Sequence, residues 1–385
     1  MGKESILKMP MAVYSGEGAL RHIKTIMEGR VKKAAVFTDS GIEKAGILEL
    51  PLHYVKESGT DFEIISQIPP EPTYIQAQEV IGRFRETGAD FIIAVGGGSV
   101  MDLAKLASVL ASGEHTVQEL LDDPALAQKQ VKTLMIPTTA GTGSEATPNS
   151  IVAVPEKELK VGIVNEGMIA DYVILDACMI KNLPPKIAAA TGVDALAHAV
   201  ECFTSKKANP FSDLFALEAL ELILNNIEAA CGGPDQMEAK NAMMTAAFYA
   251  GVAITASGTT AVHALSYPLG GKYHIPHGVS NAMLLVPVMK FNEPACRELF
   301  IKAYDRIAGN RGEKTGEEKS GWIIRRMEEI VEHLEIPTSL KEYGVGEEDL
   351  EELAASGMEV TRLLVNNRRE VTLEDAKNIY LQILK

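Results

Sequence analysis

The sequence predicts an α/β domain with a parallel sheet over residues 1–185, followed by an all-α domain over residues 186–385. Three observations carry this. Short apolar runs alternate with helical periodicity in the first half, which implies parallel pairing in a doubly wound sheet. The texture changes after Pro184-Pro185, beyond which Ala, Leu, Glu and Met recur at helical spacing and β-branched runs become rare. A double proline favours extended backbone before it and can open a helix after it, so it makes a natural boundary.

The elements follow in order. Residues 33–39 read as a buried strand ending in a turn, and 73–87 as a helix after the turn-like Pro69-Pro70-Glu71-Pro72. Residues 91–95 are a continuous apolar run that stops at three glycines, and 100–111 read as a helix. Residues 131–136 and 172–175 are further short buried strands, whereas the polar stretch 309–321 reads as an exposed loop.

A chain of 385 residues can bury a large core. Its net charge of −15 argues against a nucleic-acid partner, which needs clustered Lys and Arg. No apolar run spans a bilayer and no secretory signal is visible. Four cysteines are scattered without a CxxC pair, as suits a reducing compartment. The expectation is a cytoplasmic protein that acts on a small molecule.

Gly96-Gly97-Gly98-Ser99 joins a buried strand to a helix. Glycines let the backbone approach an anion, and free N–H groups of the first helical turn point at it. A tight turn uses the same residues, but the C-terminal ends of parallel strands are where such sheets bind ligands. Asp39 ends an earlier strand, where a carboxylate accepts from ribose hydroxyls and repels a 2′-phosphate, favouring NAD over NADP. It suits an N-cap before Ser40 and Gly41 equally well. The 138–145 loop, with Thr138, Thr139 and Thr142, is small and hydroxyl-rich enough to cradle a cofactor.

Half of the eight histidines fall between residues 198 and 277. Asp194 and His198 are four apart, so a helix puts them on one face, with Glu201 one turn on. Their neighbours are small or apolar, and a buried Asp and His need pairing or a cation. His263 lies in another apolar helical stretch, where a lone histidine is usually a satisfied core residue. His277 is flanked by Pro276 and Gly278, which fix the loop that presents it. Three imidazoles and a carboxylate make a first shell for a divalent metal. His22, His53, His115 and His333 have no such context and read as surface or structural.

Taken in order, Gly96-Gly97-Gly98-Ser99 with Asp102, the 138–145 loop, Ala190-Thr191-Gly192-Val193-Asp194-Ala195-Leu196 with His198, and the segment 263–278 resemble the iron-containing (group III) alcohol dehydrogenases. The resemblance covers nearly the whole chain. It implies a dinucleotide-binding first domain, a helical second domain and an active site in the cleft between them. It also implies metal ligands at Asp194, His198, His263 and His277. Cofactor contacts carry over to Asp39, Gly96, Gly97, Gly98, Ser99, Asp102, Thr138, Thr139, Thr142, Thr147 and Lys160, and Asn149 matches a position near the nicotinamide. Fe²⁺ is the implied ion, with Zn²⁺ the alternative, and NAD is favoured over NADP. Homodimers or larger oligomers are usual.

Three positions depart from the pattern. Tyr267 stands where many members carry a second histidine, His274 where they often have Asn, and Asn367-Arg368-Arg369 replaces Asn-Pro-Arg. His274 or Tyr267 is therefore expected to take over part of the proton relay. Ile254, Thr259 and residues near Leu364 are expected to line the pocket for small primary alcohols, diols or aldehydes. The rival readings are a zinc-dependent glycerol or polyol dehydrogenase, a maleylacetate reductase, a dehydroquinate-synthase-like lyase and a non-catalytic NAD-binding protein. The complete ligand set counts against the reductase and the non-catalytic protein. The lyase would need basic residues around its site that the matched segments lack.

Overall fold

The structure is a computed structural model that describes residues 4–157, 159–309 and 314–385. It divides into two compact units, Lys8–Leu183 and Pro184–Lys385, the latter joined by residues 4–7.

The first unit is built on a six-stranded sheet. Its strands are β1 (Ala12–Ser15), β2 (Lys33–Phe37), β3 (Asp61–Ile65), β4 (Phe91–Gly96), β5 (Lys132–Pro137) and β8 (Tyr172–Leu175), in the order β1-β8-β5-β4-β2-β3. Every pairing is parallel. β4 is buried along its whole length, as a parallel strand covered on both faces must be, which is why it reads as an unbroken apolar run. The helix Tyr74–Thr87 starts where expected because Thr73 and Gln76 form a capping box, and it stops at Gly88 in the left-handed region.

Two features were not anticipated. β6 (Asn149–Val154) and β7 (Leu159–Val164) form a separate antiparallel pair. Its signal is the period-two burial of Ser150, Val152 and Val154, a pattern easily lost beside the polar loop before it. The expected loop 309–321 needs correction. Residues 310–313 lie outside the described residues, but the helix Gly316–His333 begins inside that span, with Thr315 and Glu318 as its capping box. The polar composition there belongs to a cap and an exposed first turn, while Ile323, Ile324, Met327, Ile330 and Val331 form the buried stripe.

The strand ends bring the loops together. β2, β4 and β5 are neighbours, so the segments after Phe37, Gly96 and Pro137 leave the same edge of the sheet side by side. Thr138 N–H donates to the Gly96 carbonyl at 3.1 Å. A Cβ on Gly96 would lie 2.6 Å from Val100, so that position requires glycine, and one on Gly98 would press on the Thr142 side chain at 3.0 Å. Behind these loops sits the fully buried Lys105. Its ammonium donates to Asn149 O (2.7 Å), Ser144 Oγ (2.7 Å), Thr147 Oγ1 (3.1 Å) and Asp102 Oδ1 (3.3 Å). Asp102 Oδ2 accepts from Ile151 N–H at 2.9 Å. One cation thus ties the 138–148 loop and the start of β6 to the helix Gly98–Val109.

In the second unit every described element is helical, consistent with the texture after Pro184-Pro185. The helix Pro185–Thr204 has proline in its first turn and is buried along most of its length.

Glu145, in the loop above Lys105, is buried, and desolvation pushes its pKa up to about 7 from an ordinary 4.5. The unfolded chain ionises it near the ordinary value. The resulting cost to the folded state is absent below that pH, grows up to about 7 and is constant above. Glu145→Gln should therefore be more stabilising at alkaline than at mildly acidic pH, by roughly 1–3 kcal/mol, as read from denaturant melts at pH values on either side of this window.

Candidate metal centre

Three helices supply the centre. Asp194, His198 and Glu201 lie on the helix Pro185–Thr204, at the spacing that puts them along one face. His263 sits in the first turn of the helix Ala261–Tyr273, with Tyr267 one turn later. That helix ends at His274, which adopts φ 54° as its C-cap. Pro276 then caps the helix His277–Ile307, making His277 its first residue. Gly278 follows because a Cβ there would lie 2.3 Å from the Ala190 carbonyl oxygen. Without it the His277 helix could not approach the Asp194 helix so closely.

Asp194, His263 and His277 each present one ligand atom, and these atoms all lie within 4.8 Å of one another. Asp194 Oδ1 is 3.6 Å from His263 Nε2 and 3.6 Å from His277 Nε2. His198 Nε2 is 3.9 Å from the same oxygen, and its ring stacks on His263 with centroids 4.4 Å apart. A tetrahedral site with bonds of about 2.1 Å has edges of roughly 3.4 Å, so the spacings are close to what an ion would draw together.

The charge balance also fits a cation. Asp194 and Glu201 are two buried carboxylates in one cluster. Burial works against the Asp194 charge, but His198, His277 and His263 outweigh it and hold its pKa below the ordinary carboxylate range. Burial likewise disfavours a charged His263, yet Glu201 and Asp194 push its pKa up to about 9. Asn281 reports on the same point. Its Nδ2 donates to Asp194 Oδ1 at 2.6 Å and lies 3.2 Å from both His263 Nε2 and His277 Nε2. Its Oδ1 is buried with no hydrogen-bond partner among the described residues. Lone pairs that converge on the positive end of an amide would converge equally on a metal ion.

Glu201 and Asn281 are the residues that sequence reasoning left without a role. Glu201 is completely buried; its Oε2 contacts His263 Nδ1, and its Oε1 accepts from Thr260 N–H (3.1 Å), Thr260 Oγ1 (2.7 Å) and Val262 N–H (2.7 Å). A carboxylate on Nδ1 turns Nε2 toward the cluster, a common arrangement behind a metal-bound imidazole. The signals were present as spacing: Glu201 three residues after His198, Asn281 four after His277.

The other expected residues divide. Tyr267 is buried, with its ring centroid 6.2 Å from that of His277, and its hydroxyl accepts from Arg362 Nη2 at 3.4 Å. His274 is exposed, and no described residue hydrogen-bonds its side chain. Leu364 packs in the cluster of Ala264, Tyr267 and Leu363, whereas Thr259 is tied by its carbonyl to Asn366 and Ile254 is not in that cluster. In the other unit, Gly97, Gly98, Ser99, Thr138, Thr139 and Thr142 gather at one edge of the sheet. Asp39 Oδ1 is engaged as an N-cap by Gly41 and Ile42 N–H. Asp102 and Thr147 serve the Lys105 network, Asn149 joins it through its carbonyl, and Lys160 pairs with Glu71 at 2.6 Å.

Residues 10–177 match the family described as iron-containing alcohol dehydrogenase, and residues 188–384 match the C-terminal part of the same family. The chain belongs to the iron-containing alcohol dehydrogenases. Within that family it is 32% identical over 375 residues to long-chain-alcohol dehydrogenase 1 of Geobacillus thermodenitrificans, covering 96% of this chain and 94% of the relative. A crystal structure of 1,3-propanediol oxidoreductase superposes with a TM-score of 0.93 at 29% identity, covering 99% of this chain and all of the other. A sulfoacetaldehyde reductase from Bifidobacterium kashiwanohense, solved with NAD⁺, superposes at 0.89 with 26% identity and full coverage of both chains. An iron-containing alcohol dehydrogenase is an oxidoreductase, and Asp194, His263 and His277 here form a cluster that could hold a metal ion.

Two substitutions test the construction. Glu201→Gln should weaken metal binding by roughly 10–100-fold, measured by competition with a chelator, because the His263 ring loses its anionic partner. Gly278→Ala should cost about 1–3 kcal/mol of stability in thermal melts, since the new Cβ meets backbone that cannot swing aside.

Proposed function

We propose that this protein is an Fe²⁺-dependent, NAD-linked alcohol dehydrogenase that interconverts small primary alcohols or diols and their aldehydes. The observation that carries the reading is the convergence of Asp194, His263 and His277 on one point in a chain of this family. Asp194, His198, His263 and His277 would hold the ion, with Glu201 orienting His263 from behind. When bound, the ion supplies a Lewis acid that acidifies an alcohol or polarises a carbonyl, and NAD supplies the hydride acceptor.

The protein's own residues supply the rest. The glycine loop Gly96-Gly97-Gly98-Ser99 offers backbone N–H groups to a pyrophosphate, with Thr138, Thr139 and Thr142 beside it. The Asp39 carboxylate, with Oδ2 outside its capping bonds, suits a ribose diol and disfavours a 2′-phosphate. Asp102, Thr147 and Lys160 support this loop in our reading, with Asn149 next to it. Of the two candidate relays, Tyr267 is better supported than His274, because its ring lies beside His277 while His274 is exposed without a side-chain partner. Tyr267 would pass the substrate proton outward past Arg362. Residues 1–185 and 186–385 are taken as the cofactor and metal domains.

We also take the enzyme to act in the cytoplasm as a homodimer or larger homo-oligomer. Among the described residues no helix is long and apolar enough to cross a membrane, and all four cysteines are free.

Metal-stripped protein reloaded anaerobically with Fe²⁺ should oxidise short alcohols with NAD and bind about one ion per chain. Reloading with Zn²⁺ that restores more activity, on glycerol above all, would favour the polyol reading instead. Asp194→Ala should lose both the ion, by elemental analysis, and turnover. Tyr267→Phe should alter the pH–rate profile where His274→Ala does not. A preference for NADP in steady-state kinetics would remove the role given to Asp39.

A further inference from the structure

We infer that Arg362 forms an anion-binding subsite for the far end of the substrate, and that the preferred substrates are short aldehydes or alcohols carrying a carboxylate. This rests on the alcohol dehydrogenase reading and narrows its substrate class.

The case begins with where the metal cluster opens. The side chains of Asp194 and His263 are each only 3% exposed, whereas that of His277 is 30% exposed. A molecule from solvent therefore meets the cluster on the His277 side. Tyr267 lies beside His277, with ring centroids 6.2 Å apart, and the guanidinium of Arg362 lies against its hydroxyl. Arg362 belongs to the short helix Thr361–Leu364, whose Leu363 and Leu364 pack on Ala264 and Tyr267, so its backbone is anchored beside the His263 helix.

Arg362 is exposed to solvent. Among the described residues no carboxylate forms an ion pair with Arg362, and its one side-chain hydrogen bond is to the neutral phenol. A guanidinium with a planar fork of free donors is the group best shaped for a carboxylate. The half-buried Val360 and Leu364, packed against Tyr267, offer apolar surface for the few methylenes between that carboxylate and the reacting carbon.

The test compares succinic semialdehyde with butanal, which share a four-carbon chain and differ in the terminal charge. With the iron-loaded enzyme and NADH, kcat/KM should favour the acid. Arg362→Leu should reduce the ratio of acid to neutral kcat/KM by on the order of ten- to a hundred-fold, mainly through KM. Arg362→Lys should restore part of that ratio, since it keeps the charge and loses the fork. Rising ionic strength should raise KM for the acid more than for butanal. No preference in the wild type, or a ratio that Arg362→Leu leaves unchanged, overturns the subsite. Binding of succinate, followed by calorimetry, separates this failure from failure of the parent reading. If neither aldehyde is reduced but Arg362→Leu weakens succinate binding at least ten-fold, the subsite stands and the dehydrogenase reading falls. Equal succinate binding by the wild type and the variant overturns the subsite.

Discussion

Glu201 is the charge on which the helical unit is organised around its histidine cluster. A carboxylate removed entirely from water is costly unless every lone pair is used, and here each oxygen has a task. One oxygen gathers the N–H and hydroxyl of the N-cap Thr260 and the Val262 N–H in the first turn of the Ala261–Tyr273 helix, and the other holds the His263 ring. The N-terminus of that helix, the orientation of its histidine and its docking against the helix Pro185–Thr204 are therefore a single interaction. Acids at helix N-termini are favoured by the helix dipole as well, so the placement satisfies backbone donors and a side chain together.

The same economy appears in the other unit with the sign reversed. Lys105 is buried among oxygens from Asp102, Ser144, Thr147 and Asn149, and burial lowers its pKa while Asp102 and Glu145 raise it. A central ammonium organises a hydroxyl-rich loop that has no regular secondary structure of its own. The residues that resemblance marks as cofactor contacts are in part the struts of this loop. Asp102 and Thr147 face Lys105, leaving the glycines and the 138–142 hydroxyls as the groups at the sheet edge. Each unit thus builds a polar centre around one buried charge, an anion in one and a cation in the other.

Much of this was legible in the sequence, for identifiable reasons. The buried strand Phe91–Gly96 and the helix after it announce themselves through an apolar run that stops at three glycines, the first of them required by close packing. Asp194 and His198 could be placed on one face from their spacing alone. The helix Gly316–His333 was obscured because its cap and exposed first turn have the composition of a loop, and the β6–β7 pair because six residues of alternation are a weak signal. Asp39 was ambiguous between a capping and a binding role, and the structure exhibits the capping bonds.

The sequence by itself determined which residues can carry charge and coordinate, and which helical faces they share, because spacing along a helix is a local property. It also determined the family, through motifs in a set order. Only the tertiary structure decided that His263 and His277 meet Asp194, that Glu201 stands behind His263, and that Asn281 points into the same cluster. It also decided that Tyr267 rather than His274 lies beside His277, and that Arg362 arrives from nearly a hundred residues away without a carboxylate. These are contacts between helices, set by how closely backbones approach, and one glycine hydrogen at position 278 decides whether His277 reaches the cluster. No periodicity along the chain encodes such distances, so the composition of the site is a fact of sequence and its geometry a fact of packing.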